Sequence, residues 1–228
     1  MKQALKFAGV LLAVAMIVAA ASICSPALAV EDLLTNGDFS AGHNNLPSAW
    51  HTRVGLPWTD YTLTPPSDSD PGQVEMDNHL ISDARWTQEV YLRPGWYYIS
   101  GEIKSQNISL KGTGAFVALM DENIGSSEAL GNTDWRRLGF YLEVGKGGAW
   151  VDVVLRFGDF WDFNDGRAWF RGVSVVPVDA PGEGTQGVYH LDEVRRSLSG
   201  SPLGLVTSFV LLVVFAMVGW RLCVPDGI

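Results

Sequence analysis

Residues able to do chemistry are abundant in this sequence, but few stand at the spacings that enzymes use. The four histidines are scattered, without the H-x-x-x-H or H-x-H spacing that supplies zinc ligands. The sequence has no G-x-S-x-G nucleophile turn and no glycine-rich phosphate loop. Paired carboxylates can hydrolyse glycosidic bonds, but spacing alone does not pair acids across strands. We therefore predict a protein that is not an enzyme, with hydrolysis kept as a third hypothesis.

The loop "GDFWDFNDG" (158–166) has the densest group of oxygen ligands in the sequence. Oxygen-rich loops bind calcium, but Gly166 follows Asp162 at a distance that fails the EF-hand pattern. A turn closed by Asx hydrogen bonds is the favoured interpretation. The weak calcium candidates are Asp159, Asp162 and Asp165, and no other metal site is predicted.

Tryptophan is the more informative residue type, because eight of the nine tryptophans lie between residues 30 and 202. An exposed indole offers an apolar face and a polar edge, on which the C–H face of a sugar ring can stack. Trp135, Trp150 and Trp169 fall within strand patterns, so we expect them to be packed. The aromatics beside loops are the predicted ligand-binding face: Trp58, Tyr61, Trp86 and Trp161.

Alternating apolar and polar residues predict an all-β domain that positions these aromatics. Leu138, Phe140 and Leu142 share one face of a strand, and Val151, Val153 and Leu155 share another. Strands separated by glycine-rich turns favour an antiparallel β-sandwich or jelly roll. The predicted strand segments are 87–105, with two strands around Pro94-Gly95, and 112–122, 134–144, 149–158 and 166–178.

Four motifs make residues 33–178 resemble the jelly-roll carbohydrate-binding modules of the galactose-binding-like superfamily. They are "LLTNGDFSAG", "LPSAW", "NTDWRRLGFYLEV" and "GRAWFRGVSVVPV", in the order found in that family. The resemblance implies a jelly roll that binds carbohydrate, although related domains also bind proteins or lipids. On this basis Phe39 is the inward anchor of the first strand, and Trp50 fills the core where the chain re-enters it.

The same resemblance implies a structural calcium ion, but this sequence lacks the acids that would bind it. Ser40 stands where the family has a glutamate, and Arg171–Gly172 stand where it has an aspartate. A cation at Arg171 would repel calcium. We expect no cofactor, and we expect Arg171 to replace the ion by pairing with Asp38 or Glu31.

The two ends of the chain predict export and membrane anchoring. Residues 1–29 combine Lys2 and Lys6, an apolar run and an A-x-A site, which is typical of a signal peptide, cleaved or retained as an anchor. Residues 203–222 are apolar and long enough for a transmembrane helix, with Trp220 and Arg221 as interfacial anchors. The small pair Gly204 and Ser208 suits helix packing.

The predicted organisation follows from these ends. A jelly roll (30–178) lies on the periplasmic or extracellular side of the cell membrane, followed by a linker and juxtamembrane segment (179–202) and a short cytoplasmic tail (223–228). Within the linker, residues 189–198 have the pattern of a short helix. Residues 30–202 have no cysteine, and their net charge is −11, because Asp226 is the only acid outside this range whereas Lys2, Lys6 and Arg221 all lie outside it. Nucleic acid is therefore excluded as a partner.

Two functional hypotheses remain open on the sequence. The first is a non-catalytic, membrane-anchored module that binds an envelope glycan. The second is an accessory subunit of a membrane complex, in which the jelly roll and the helix pack on protein partners. Predicted aromatics in one groove would favour the first, and dispersed aromatics would favour the second. The oligomeric state does not follow from either.

Overall fold

A computed structural model describes residues 31–54, 58–80, 82–120, 124–159 and 164–192. Within these ranges the ordered elements are twelve strands. They are β1 (Gly42–His43), β2 (Leu46–Pro47), β3 (His51–Val54), β4 (Thr59–Thr64), β5 (Gln73–Asn78), β6 (Ala84–Leu92), β7 (Gly95–Ile108), β8 (Ala115–Leu119), β9 (Gly131–Val144), β10 (Ala149–Phe157), β11 (Gly166–Val178) and β12 (Val188–His190).

The strands form two larger sheets that face each other. One has four strands in the order β3-β6-β10-β8, and the other has six in the order β12-β9-β7-β11-β5-β4. All pairings within them are antiparallel except that of β12 with β9. Inward residues of both sheets belong to one hydrophobic core. A Cβ added to Gly101 in β7 would lie 3.3 Å from the Val117 side chain in β8. The predicted antiparallel β-sandwich is confirmed.

The two strands predicted around Pro94-Gly95 are present, but they do not pair with each other. β6 belongs to the four-stranded sheet and β7 to the six-stranded sheet. The short connection therefore crosses from one layer of the sandwich to the other. Both strands need an inward apolar face to do this, and Leu92 and Ile99 are completely buried in the shared core.

The opening segment anchors the chain to the core through two aromatic rings. Phe39 and Trp50 are buried, with ring centroids 5.5 Å apart, and Trp50 Nε1 donates to the Asn36 carbonyl at 3.1 Å. Their predicted roles are confirmed, except that Phe39 lies in a turn at φ 55° rather than in a strand. Gly37 is required there, because an added Cβ would lie 2.0 Å from the Val173 carbonyl oxygen.

The helix expected over 189–198 does not begin at residue 189. Val188–His190 instead form β12 at the edge of the six-stranded sheet. The Tyr189 hydroxyl donates to the Gly125 carbonyl at 3.0 Å, and Leu191 is completely buried. Leu191 and Asp192 are helical, and the remainder of the expected helix lies outside the described residues.

The predicted signal peptide (1–29) and transmembrane helix (203–222) lie outside the described residues, as do Gly204, Ser208, Trp220 and Arg221. Over the ranges that the structure does describe, no helix has the length and apolar character needed to span a bilayer.

Candidate functional site

The outer side of the four-stranded sheet carries a row of cross-strand pairs that we call the four-strand face. Val151, Val153 and Leu155 of β10 point into the core, so the residues between them point outward. Each outward residue of β10 faces one of β6 in register. From one end of the face to the other, the pairs are Trp150–Tyr91, Asp152–Glu89, Val154–Thr87 and Arg156–Arg85.

An exposed aromatic pair occupies the first end of this face. Trp150 is 61% exposed and Tyr91 is 42% exposed, although both are large and largely apolar. Their ring centroids lie 5.3 Å apart with an interplanar angle of 55°. The Tyr91 hydroxyl donates to the Gly147 carbonyl at 3.3 Å, which holds the ring beside the β9–β10 turn. Such a pair gives a ligand an apolar platform with little rotamer freedom to lose.

Two carboxylates lie next to the aromatic pair. Glu89 and Asp152 are directly opposite in register, an arrangement in which like charges destabilise a sheet. Neither forms an ion pair with the cations that the structure describes. They border an open groove of about 640 Å³ that is also lined by His51 and Thr87. The carboxylates are therefore available to accept hydrogen bonds from a ligand.

The other end of the face is a cleft of about 420 Å³ bordered by two arginines. Arg85 and Arg156 both donate to the carboxylate of Asp83, whose side chain is 1% exposed. Arg156 Nε and Nη2 lie 2.8 and 3.1 Å from the two carboxylate oxygens. The Arg156 guanidinium also lies 5.8 Å from the ring centre of Phe116. The buried carboxylate fixes both guanidinium groups, which leaves them preorganised at the cleft.

The four-strand face thus offers three kinds of contact in line. A platform of indole and phenol rings is followed by carboxylate acceptors and then by guanidinium donors. The six residue steps from Trp150 to Arg156 span about 20 Å along the strand. An elongated ligand with hydroxyl groups and an apolar face would match this order of contacts. In the described residues no group of three or more histidine, cysteine or acidic side chains is placed to bind a metal ion.

The aromatic face predicted from sequence is wrong for Trp86. Trp86 is completely buried in the core, because β6 turns its indole inward. Tyr61 packs edge-on against it, with centroids 5.1 Å apart, and burial raises the pKa of Tyr61 to about 12. Trp58 is 41% exposed, and Trp161 lies outside the described residues. Among the described members, only Trp58 is more than a third exposed.

Trp150 was expected to be packed, and that expectation is also wrong. The alternation that identified Val151, Val153 and Leu155 as one face already places Trp150 on the other, so the sequence contained the signal. Trp135 and Trp169 are half-buried on the outer side of the six-stranded sheet.

The ion pair expected for Arg171 forms with a different partner. Arg171 Nε donates to Glu102 Oε2 at 2.6 Å, rather than to Asp38 or Glu31. Neighbouring strands place Arg171 opposite Glu102, on the outer side of the sheet, which sequence could not reveal. Ser40 Oγ donates to Asp38 at 2.9 Å.

The calcium candidates are only partly described. Asp159 lies 3.5 Å from Arg156, and Asp165 is exposed. Asp162 is outside the described residues.

Comparison with known proteins gives likenesses of fold only. No protein-family model matches the sequence, and no significant match is found among curated proteins. Solved structures similar to the chain include TmCBM61 in complex with β-1,4-galactotriose, at 13% identity over 65% of this chain and 99% of that chain, with a TM-score of 0.47. The CBM22-1 xylan-binding domain from Paenibacillus barcinonensis Xyn10C matches at 13% identity over 67% of this chain and 98% of that chain, with a TM-score of 0.44.

A third similar structure is the enzymatically active domain of bacteriophage CBA120 tailspike protein 4. It matches at 15% identity over 64% of this chain, with a TM-score of 0.45. The chain spans only 21% of that domain.

Proposed function

We propose that the β-sandwich is a non-catalytic glycan-binding module and that the ligand lies along the four-strand face. The observation that carries this proposal is the exposed Tyr91–Trp150 pair in line with two carboxylates that form no ion pair with any described cation. Exposed rings of this size are costly to leave in water, so their position beside polar side chains favours a ligand that is apolar on one face and hydroxylated at its edge. Sugars have both features.

The carboxylates support the same ligand class. A sugar hydroxyl is a donor that can satisfy Glu89 or Asp152, whereas the face offers no compensating cation next to them among the described residues. The fixed arginines supply donors to hydroxyl or ring oxygens at the other end. An open groove with acceptors and donors binds a chain along its length rather than enclosing a small molecule.

The proposed location is the cell membrane, with the module on its periplasmic or extracellular side. The signal-peptide pattern of residues 1–29 and the apolar run of residues 203–222 support this placement. Anchoring would raise the effective concentration of the module near envelope glycan.

The function is tested with the full-length protein in mild detergent and a panel of neutral β-linked oligosaccharides, by calorimetry. We expect binding of at least one member and its loss when Tyr91 and Trp150 are both changed to Ala. Leu110→Ala is the matched control, since Leu110 is 76% exposed in a loop outside the face. Unchanged binding in the double variant, or no binding to any member of the panel, would contradict the proposal.

A second candidate is an accessory subunit of a membrane-protein complex. It is favoured by an exposed apolar pair at the free edge of the six-stranded sheet, where Trp58 is 41% and Leu80 is 44% exposed. The two residues lie on neighbouring segments, because the backbone N–H of His79, which precedes Leu80, donates to the Trp58 carbonyl at 3.0 Å. Purification from native membranes in mild detergent distinguishes the candidates. Stoichiometric partners that are lost from the Trp58→Ser variant would support a subunit, and a lone protein would exclude it.

A further inference from the structure

The outer side of the six-stranded sheet has a second groove, which we call the tryptophan groove. It measures about 330 Å³ and lies between the sheet and the loop of residues 64–71. Trp169 of β11 stands opposite Lys104 of β7 in register. Trp135 of β9 lies beyond Lys104, at the β-bulge between the Ile103–Arg136 and Ser105–Thr133 pairs. The two indoles are therefore about two strand spacings, or roughly 10 Å, apart.

Each indole carries a cation on its face. The Lys104 ammonium lies 5.4 Å from the centre of the Trp169 ring, and the Arg171 guanidinium lies 4.1 Å from the centre of the Trp135 ring. These contacts fix two positive groups inside a groove with aromatic walls. On the four-strand face, in contrast, the exposed aromatics adjoin carboxylates.

The carboxylates around the groove already have partners. Glu102 lies 2.6 Å from Arg171 and 3.8 Å from Arg137. Glu75, opposite Trp169 in β5, lies 3.8 Å from Arg167. The Lys104 ammonium, in contrast, forms no ion pair with any carboxylate that the structure describes. In a chain with a net charge of −9, an unpaired and half-buried ammonium is an unusual local positive site.

The rim of the groove is preorganised. In the loop, Ser67 N–H donates to the Asp70 carbonyl at 2.8 Å, and Asp70 N–H donates to Ser67 Oγ at 3.2 Å. The Asp70 carboxylate accepts a hydrogen bond from Ser69 Oγ at 3.1 Å and is the one acid that lines the groove. Gly72 closes the loop against the opening segment, where a Cβ would lie 2.5 Å from the Asp38 carbonyl oxygen. The rim therefore holds its shape without a ligand.

We propose that the tryptophan groove is a second ligand site and binds a carboxylate-bearing sugar of the uronate type. The sugar ring stacks on an indole, and its carboxylate accepts a hydrogen bond from the Lys104 ammonium. Gln73 and the Thr64 hydroxyl, which also line the groove, bind ring hydroxyls. A neutral sugar would leave the ammonium unpaired, and an acidic peptide would lack the ring that stacks on the indole.

The test compares three probes on the full-length protein in detergent by calorimetry. They are an oligogalacturonate, the same oligosaccharide with its carboxylates methyl-esterified, and polyglutamate of equal charge. We expect the oligogalacturonate to bind at least about tenfold more tightly than the other two, since a hydrogen bond to a charged group contributes about that factor. Equal affinity for the ester, or equal affinity for polyglutamate, would overturn the proposal.

Lys104→Met keeps an apolar stem on Trp169 and removes the charge. We expect it to lose about tenfold in affinity for the oligogalacturonate and to unfold at the wild-type temperature. Lys111→Met is the matched control, since Lys111 is exposed and outside the groove. Unchanged affinity of the Lys104→Met variant for the oligogalacturonate would overturn the proposal of a uronate site in the tryptophan groove. Binding of neutral oligosaccharide at the four-strand face should be intact in this variant, so failure of this site and failure of the proposed function can be told apart.

Discussion

Arg156 holds the buried carboxylate of Asp83 with two hydrogen bonds, from Nε at 2.8 Å and from Nη2 at 3.1 Å. Asp83 also accepts from Arg85, so one acid with 1% side-chain exposure binds two guanidinium groups. We expect Asp83→Asn to destabilise the domain by about 2–4 kcal/mol, because two partly buried cations would then lose the carboxylate that lies between them. Urea unfolding measures this loss. Asp68→Asn, in the exposed loop, should be neutral, and an equal effect of both variants would contradict the assignment.

The Asp152–Glu89 pair predicts opposite effects on stability and binding. Asp152→Asn removes a like-charge contact and should raise the free energy of unfolding by about 0.2–1 kcal/mol. It should also lower the affinity for the neutral oligosaccharide, because a charged carboxylate acceptor is replaced by a neutral amide, which accepts hydrogen bonds more weakly. Thermal unfolding and calorimetry on the same variant check both effects. A variant that is both less stable and fully competent in binding would show that the pair has a structural role only.

The close approach at Gly37 predicts a large effect from one methyl group. Gly37→Ala places a Cβ 2.0 Å from the Val173 carbonyl oxygen, which itself belongs to the closing strand β11. We expect a loss of about 1–3 kcal/mol, since backbone has to move. Gly147→Ala is the matched control, because no atom lies within 4 Å of its added Cβ. Guanidinium unfolding curves that coincide for the two variants would rule out this packing constraint.

Tyr61 predicts a loss of stability at alkaline pH. Burial raises its pKa from 10.0 to about 12 in the folded domain, so unfolding favours ionisation of the phenol. Its contribution to stability is complete below pH 10 and falls as the pH rises toward 12. Urea unfolding across this range should show a steeper decline in the wild type than in Tyr61→Phe. Parallel declines would mean that other groups cause the alkaline unfolding.

The strands were predictable from sequence because alternation is a local property of the chain. β9, β10 and β11 follow the predicted segments closely, since buried apolar residues alternate along β10 and along parts of β9 and β11. The partner of each strand was not predictable. β6 and β7 belong to different sheets because of the way apolar faces meet in the core. The sequence of the turn between the two strands does not indicate this.

The site was less predictable than the fold for the same reason. Proximity to a loop suggested exposure for Trp86, but strand parity turns it inward, and parity turns Trp150 outward. The alternation of inward and outward residues along a strand could have been used to predict the orientation of both side chains from sequence. The Arg171–Glu102 pair could not have been found, because residues 69 positions apart meet only through strand register.

The short strand β12 has a mechanical consequence. It is the last described strand of the chain, and its parallel ladder with β9 is three residue pairs long. If the chain beyond it is anchored in a membrane, as proposed, a pull on the bound glycan would load this ladder before the rest of the sandwich. Its detachment would free residues 179–190, which extend over about 40 Å. The module would then yield and lengthen under tension while its four-strand face stays folded.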